Sequence, residues 1–128
     1  MTCLLDTHAF LWAIGDPRRL SKRADALILD SKNELMLSAV SIWEIALKVQ
    51  SGKLVLPASR EYFDAHLTQL GVRSVLAISP MHVYGVLDLP PVHKDPFDRL
   101  LAAQCLSERM SLISADKIFR DYGVDTIW

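Results

Sequence analysis

The sequence is poor in the features that define several common protein classes. Its only cysteines, Cys3 and Cys105, form no Cys-x-x-Cys pair and no Cys/His array, which excludes a zinc ribbon. We expect two reduced, buried thiols, with a single disulfide as the alternative. There is no glycine-rich loop of the P-loop or Rossmann type, which excludes those phosphate-binding motifs. The longest unbroken apolar run, 9–14, is far shorter than the roughly 18 residues that span a bilayer.

Net charge is also nearly absent. Fourteen Lys and Arg residues face fifteen Asp and Glu residues, for a formal charge of -1. This balance excludes a protein that wraps duplex DNA through bulk positive charge, although a local patch can still bind nucleic acid. Because Asp6 interrupts the first apolar stretch and no basic segment precedes it, the N-terminus does not read as a signal peptide. We therefore expect a soluble cytoplasmic protein without a membrane partner.

Apolar residues make up 51% of the 128 positions, enough for one domain, 1–128, with a substantial core. Short apolar runs predict strands at 2–5, 34–37, 74–78, 111–114 and 125–128. Helical patterns occupy 7–14, 21–31, 41–50 and 59–70, with further helices beginning at 79, 95 and 116. Because the strands are apolar along their length, they favour a central, mostly parallel sheet of four or five strands. The predicted fold is a three-layer α/β/α sandwich.

Four acidic residues follow the ends of predicted strands or begin the helices beyond them. Asp6 directly follows the first strand, and Asp116 lies two residues after the fourth. Glu44 and Asp98 lie in the predicted first turns of two helices. Because ligands of parallel sheets gather beyond the carboxyl ends of the strands, these side chains are candidates for one site.

Each acid also has a structural explanation. Ser41 and Glu44 match a capping box, and Asp95 before Pro96 is a plausible N-cap. Such effects are worth about 0.3–1 kcal/mol each, whereas two carboxylates about 4 Å apart near a surface repel by about 4 kcal/mol. If the acids converge, a cation must therefore lie between them. Oxygen ligands without cysteine favour Mg²⁺ or Mn²⁺.

Four segments of the sequence resemble the motifs of the PIN-domain family, and in particular its VapC-type bacterial toxins. The resemblance covers the whole chain in order, and the early Asp-Thr-His together with Asp-Pro-Phe-Asp-Arg is its most specific part. One departure is Ser114, where threonine is usual, although the hydroxyl is retained. The four segments are Leu4-Leu5-Asp6-Thr7-His8, Ser41-Ile42-Trp43-Glu44-Ile45, His93-Lys94-Asp95-Pro96-Phe97-Asp98-Arg99 and Ser114-Ala115-Asp116.

The resemblance implies an α/β/α fold and a metal-dependent endoribonuclease that acts as the toxin of a toxin–antitoxin pair. Asp6 and Asp98 would ligate Mg²⁺ or Mn²⁺ directly, and Asp116 would hold the metal or its water. Glu44 would either ligate the metal or position the other groups of the site. Thr7 would orient Asp6 by hydrogen bonding, with Ser114 in support. The resemblance also implies an RNA substrate, a homodimer, and an antitoxin protein that blocks the cleft.

The basic residues suggest where RNA could bind. The densest cluster, Arg18, Arg19, Lys22 and Arg23, is interpreted either as a contact for phosphates or as the solvated start of a helix. Weaker candidates are Lys48, Lys53 and Arg99. We expect Trp12 and Trp43 in the core or a dimer interface, His8 packed behind the site, and no metal-binding role for His93.

Two other functions remain open at this point. The first is a non-catalytic PIN-like module that binds RNA or protein. The second is a phosphatase or phosphoacceptor domain with Asp6 as its nucleophile. A phosphatase of the haloacid-dehalogenase type would require Asp-x-Asp after the first strand, but this chain has Asp6-Thr7-His8.

Overall fold

Five short strands form one wholly parallel sheet in the computed structural model, which describes all 128 residues. In chain order the strands are β1 (Thr2–Leu5), β2 (Glu34–Ser38), β3 (Val72–Leu76), β4 (Ser111–Ile113) and β5 (Thr126–Ile127). Their order across the sheet is β3-β2-β1-β4-β5. Because β1 is central, the residue that follows it lies between the ends of β2 and β4.

Helices cover both faces of the sheet. They are α1 (Thr7–Gly15), α2 (Lys22–Leu29), α3 (Ala39–Gln50), α4 (Arg60–Leu70), α5 (Pro80–Val86), α6 (Pro96–Glu108) and α7 (Ile118–Asp121), with a 3-10 turn at Pro17–Arg19. Successive side chains of a strand point to opposite faces. Cys3 and Leu5 accordingly pack against α1 to α4, whereas Leu4 packs in a second core with α6 and α7. The predicted three-layer sandwich is confirmed.

Most element boundaries agree with the sequence pattern within one or two residues, and β3 shows why some do not. The pattern predicted this strand at 74–78, but it spans Val72–Leu76. Gly71 ends α4 in the left-handed region, at φ 72°, so the chain turns into the strand immediately. Arg73, which the apolar pattern left out, lies in this edge strand and pairs with Glu34 of β2.

The predicted capping box at the start of α3 is wrong. Ser38 caps the helix by accepting a hydrogen bond from the Val40 N–H at 3.0 Å. The reason is that β2 runs directly into α3 without a loop, which moves the cap three residues towards the N-terminus, from Ser41 to Ser38. Ser41 is buried inside the helix and accepts a hydrogen bond from the Thr7 hydroxyl at 2.9 Å. Glu44 therefore lies in the second turn, away from the cap.

Both cysteines are free and buried, as expected. They lie in different cores, Cys3 on the α1–α4 side of the sheet and Cys105 on the α6–α7 side. Burial raises the pKa of the Cys105 thiol to about 12, and burial also raises the pKa of Cys3. Neither thiol is therefore a reactive nucleophile. None of the helices has the combination of length and apolarity that a membrane crossing requires.

Candidate active site

Asp6 occupies the junction between the central strand and α1. It is only 5% exposed, and both of its carboxylate oxygens are held. Oδ1 accepts a hydrogen bond from the Thr7 N–H at 2.7 Å, and Oδ2 accepts one from the Ser114 hydroxyl at 2.7 Å. Burial raises the pKa of Asp6 and outweighs the lowering by Ser114, by the charge of His8 and by Thr7. The geometry thus fixes a carboxylate whose charged form is poorly solvated.

Asp98 lies in the first turn of α6, behind an N-cap formed by Asp95. Asp95 Oδ1 accepts hydrogen bonds from the N–H groups of Phe97 at 2.9 Å and Asp98 at 3.2 Å, which confirms the predicted cap. The Asp98 carboxylate is therefore free to face the site. Its Oδ2 lies 3.2 Å from Nε2 of His93.

Burial and several charged neighbours shift the pKa of Asp98. Burial is the main cause that raises it to about 6, and the hydrogen bond from His93 partly opposes the rise. The negative charges of Asp95, Asp6 and Glu44 raise it further. Glu44 also raises the pKa of Asp6. Three of the four predicted acids, from three distant segments, therefore lie close enough to repel one another.

Glu44 is 4% exposed and carries its own counterion. The Lys48 ammonium lies 2.8 Å from Glu44 Oε2, one turn further along α3. Lys48 was expected only as a weak RNA contact. Its pairing with Glu44 is a common helical contact between residues four apart, which the sequence could have revealed.

Asp116 is linked to the site through Ser114. The Asp116 N–H donates to the Ser114 hydroxyl at 3.0 Å, and the same hydroxyl donates to Asp6. The Asp116 carboxylate is exposed and accepts a hydrogen bond from the Ile118 N–H at 3.0 Å. No three His, Cys, Asp or Glu side chains stand close enough in the structure to hold a metal ion together. The structure thus brings Asp6, Glu44 and Asp98 near one another without forming a closed cage, and it connects Asp116 to them only through Ser114.

The donor set nevertheless fits a hard divalent cation. It offers carboxylate oxygens and no thiolate, which is the chemistry preferred by Mg²⁺ and Mn²⁺. Burial is the main cause of the raised pKa values of Asp6 and Asp98, and repulsion by neighbouring carboxylates adds to it; a bound cation would favour the charged form of both. Of Asp6, Glu44 and Asp98, only Glu44 is hydrogen-bonded to a lysine or arginine side chain, that of Lys48.

Thr7 orients Asp6 through the Thr7 N–H, because the Thr7 hydroxyl donates its hydrogen bond to Ser41. His93, for which the sequence suggested no role, contacts Asp98 with one ring nitrogen and Tyr122 with the other. No local signal predicts this contact, because it requires the loop before α6 to fold back on the helix. Arg99 holds that loop by donating to backbone carbonyls, including Pro90 O at 3.0 Å. Arg99 therefore has a structural role in holding this loop.

The predicted basic cluster lies on one stretch of surface around the 3-10 turn. Arg18 is almost fully exposed and pairs with Asp16 at 3.4 Å. The Arg19 guanidinium stacks over the ring of Trp12, 4.6 Å from its centroid. Lys22 and Arg23 are exposed in the first turn of α2. None of the four contacts an acid of the site.

Both tryptophans expected in the core or an interface are partly accessible. Trp12 is half-buried and meets Trp128 edge-on at 5.7 Å. Trp43 is 49% exposed and packs against Phe97 at 4.8 Å. Since Trp43 precedes Glu44 and Phe97 precedes Asp98, this aromatic pair lies beside the acids.

A parallel α/β/α sandwich with acids at the carboxyl ends of its central strands defines the class of this chain. Residues 3–125 match the PIN domain, and the chain therefore belongs to the PIN-domain family.

Individual relatives agree with this assignment. Ribonuclease VapC22 of Mycobacterium tuberculosis is 30% identical over 122 residues, which cover 94% of this chain and 92% of that protein. The crystal structure of VapBC2 from Rickettsia felis, bound to a promoter DNA fragment, matches with a TM-score of 0.72 at 18% identity, covering 99% of this chain and 98% of that chain. The M. tuberculosis toxin VapC20, which cleaves the Sarcin-Ricin loop, matches with a TM-score of 0.61 at 18% identity over 95% of each chain. At this identity the two structures demonstrate likeness of fold.

Proposed function

We propose that this protein is a metal-dependent endoribonuclease and the toxin of a toxin–antitoxin pair. Asp6, Glu44, Asp98 and Asp116 would hold Mg²⁺ or Mn²⁺ and direct hydrolysis of an RNA phosphodiester bond. The observation that carries the proposal is the buried Asp6 carboxylate, which the Thr7 N–H and Ser114 hold at the end of the central strand near Glu44 and Asp98. The ribonuclease name of a relative that spans 94% of the chain supports the choice of substrate.

The roles of the residues follow from their contacts. When bound, a divalent cation supplies a water of lowered pKa and charge stabilisation for the phosphate during in-line attack. Ser114 and the Thr7 N–H keep Asp6 from rotating, and His93 orients Asp98. Lys48 neutralises Glu44 and so reduces the repulsion between that carboxylate and the anionic RNA. No histidine is required as a general base.

The remaining partners are proposed on the same basis. The exposed basic cluster of Arg18, Arg19, Lys22 and Arg23 would contact phosphates that flank the scissile bond. A cognate antitoxin protein would block the acidic cleft, and two copies of the chain would form a homodimer in the cytoplasm. The fold shared with VapBC2 and the toxin VapC20 supports a toxin role.

The decisive experiment is an RNA cleavage assay with purified protein and either single-stranded or structured RNA. We expect cleavage with Mg²⁺ or Mn²⁺ that stops in EDTA and in the Asp98→Asn variant. Asp64→Asn is a matched control, because Asp64 is exposed on α4 and outside the site. Cleavage that persists in EDTA, or in Asp98→Asn, would contradict the proposal. RNA binding without cleavage by the wild type would favour the non-catalytic PIN-like module.

A further inference from the structure

A groove of about 500 Å³ lies beside the acidic site. Its walls come from α1, the end of α3, the segment 53–56 and the first turn of α4. A volume of this size is in the range of small-ligand sites, about 300–1,000 Å³. Its polar and aromatic lining comprises His8, Trp12, Arg19, Lys48, Lys53 and Tyr62.

The groove and the acidic site share a wall. Lys48 lines the groove, and its ammonium is 2.8 Å from the Glu44 carboxylate. His8 also lines the groove and lies two residues after Asp6, in the first turn of α1. An extended ligand that passes over the acids can therefore enter the groove directly.

The groove is positively charged although the protein as a whole is not. Arg19, Lys48 and Lys53 line it, and no Asp or Glu does. The formal charge of the whole chain is -1. Because Lys48 is paired with Glu44 at 2.8 Å, Arg19 and Lys53 carry this local excess, which favours an anionic occupant.

Trp12 provides an aromatic surface that its neighbours hold in place. Trp128 contacts the ring at 5.7 Å and His8 at 5.9 Å, while the Arg19 guanidinium covers it at 4.6 Å. Unpaired bases stack on aromatic rings and on arginine guanidinium planes in RNA-binding proteins. The groove thus combines a stacked guanidinium and aromatic ring with the ammonium of Lys53, which can contact a phosphate.

We propose that this groove binds one unpaired nucleotide of the RNA next to the scissile bond. The base stacks on the exposed guanidinium of Arg19, which lies over the Trp12 ring, and the backbone phosphate contacts Lys53. This inference rests on the proposed function and adds a preference for single-stranded RNA at the cleavage site. It assigns Arg19 a stacking role that a lysine cannot fill.

The test measures RNA binding separately from cleavage. In EDTA, the Asp98→Asn protein is titrated into a labelled short single-stranded RNA, and fluorescence anisotropy gives the Kd. We expect Trp12→Leu, Arg19→Ala and Arg19→Lys, each added to Asp98→Asn, to weaken binding about tenfold. Two controls should change it less than twofold: Arg73→Ala, at the opposite end of the sheet, and Tyr84→Leu, an exposed aromatic on α5. Circular dichroism checks that each variant folds, and Arg19→Lys changes only a surface side chain.

The outcomes separate this inference from the proposed function. If the wild type cleaves RNA with Mg²⁺ but Arg19→Lys and Trp12→Leu bind RNA normally, the groove assignment is wrong and the nuclease stands. If the wild type never cleaves but these variants lose RNA binding, the groove stands without the nuclease. Variants that lose affinity for the antitoxin and keep it for RNA would overturn the inference by making the groove a protein-docking site.

Discussion

The Ser114 hydroxyl donates a hydrogen bond to Asp6 Oδ2 at 2.7 Å, between residues 108 positions apart. The Ser114 hydroxyl oxygen also accepts a hydrogen bond from the Asp116 N–H at 3.0 Å, so the direction of the hydroxyl is set from both sides. Since Asp6 and Ser114 are both buried, water does not replace this contact readily. The pair joins the ends of β1 and β4 and fixes the carboxylate at the centre of the proposed site.

Removing this hydroxyl should destabilise the protein. We expect Ser114→Ala to lower the free energy of unfolding by about 1–3 kcal/mol, because a buried carboxylate loses a hydrogen bond. Ser114→Thr keeps the hydroxyl and serves as the control. Urea denaturation of both variants measures the effect, and equal stability of Ser114→Ala and the wild type would show that the contact contributes nothing.

His93 should set the pH range of activity through Asp98. Its hydrogen bond lowers the pKa of Asp98, so His93→Ala should raise that pKa further above about 6. We expect the acidic limb of the pH–activity profile to move to higher pH, with a larger loss of cleavage at pH 6 than at pH 8. His93→Gln retains a side-chain N–H donor and should recover part of the shift. Profiles that superimpose on the wild type would contradict this role.

The stability of the metal-free protein should depend on pH through Asp98. Its folded-state pKa of about 6 exceeds the ordinary 3.8, so the folded state binds this proton more tightly than the unfolded state. The contribution to stability is therefore complete below pH 4 and is lost as the pH rises through about 6. At pH 7 we expect Asp98→Asn to be more stable than the wild type by about 1 kcal/mol, after allowance for its partial exposure.

The comparison is made in EDTA by urea denaturation at pH 7 and at pH 4. The advantage of Asp98→Asn should disappear at the lower pH, where the wild-type carboxyl is also neutral. Asp88→Asn, at an exposed position after α5, controls for a general effect of removing one negative charge. An advantage that stays constant across this range would rule out the titration of Asp98 as its cause.

Divalent metal should stabilise the folded protein. A cation that binds the folded state alone adds about 2.7 kcal/mol at a concentration one hundred times its Kd. We expect millimolar Mg²⁺ or Mn²⁺ to raise the Tm of the wild type but not of Asp6→Asn. KCl at equal ionic strength controls for screening. No shift with either divalent ion, together with no heat of binding by calorimetry, would remove the metal from the proposal.

The sequence predicted some parts of this molecule better than others, and the difference depends on how far apart along the chain the interacting residues lie. The strand before Asp6 and the cap at Asp95 depend on neighbouring residues, and both were located correctly. The start of α3 was misplaced because two serines three residues apart both suit a cap. The direct passage from β2 into the helix selected Ser38.

By itself the sequence determined the layered parallel fold, because apolar periodicity and turn residues act over a few positions. It also determined which carboxylates follow the strands. Only the tertiary structure decided that Ser114 contacts Asp6 and that the loop with His93 folds back onto Asp98, whereas the Lys48–Glu44 pair follows from helical spacing. It also brought Trp12 and Lys53 into one groove. The Ser114–Asp6 contact and the groove depend on the packing of segments far apart along the chain, which no local pattern of residues encodes.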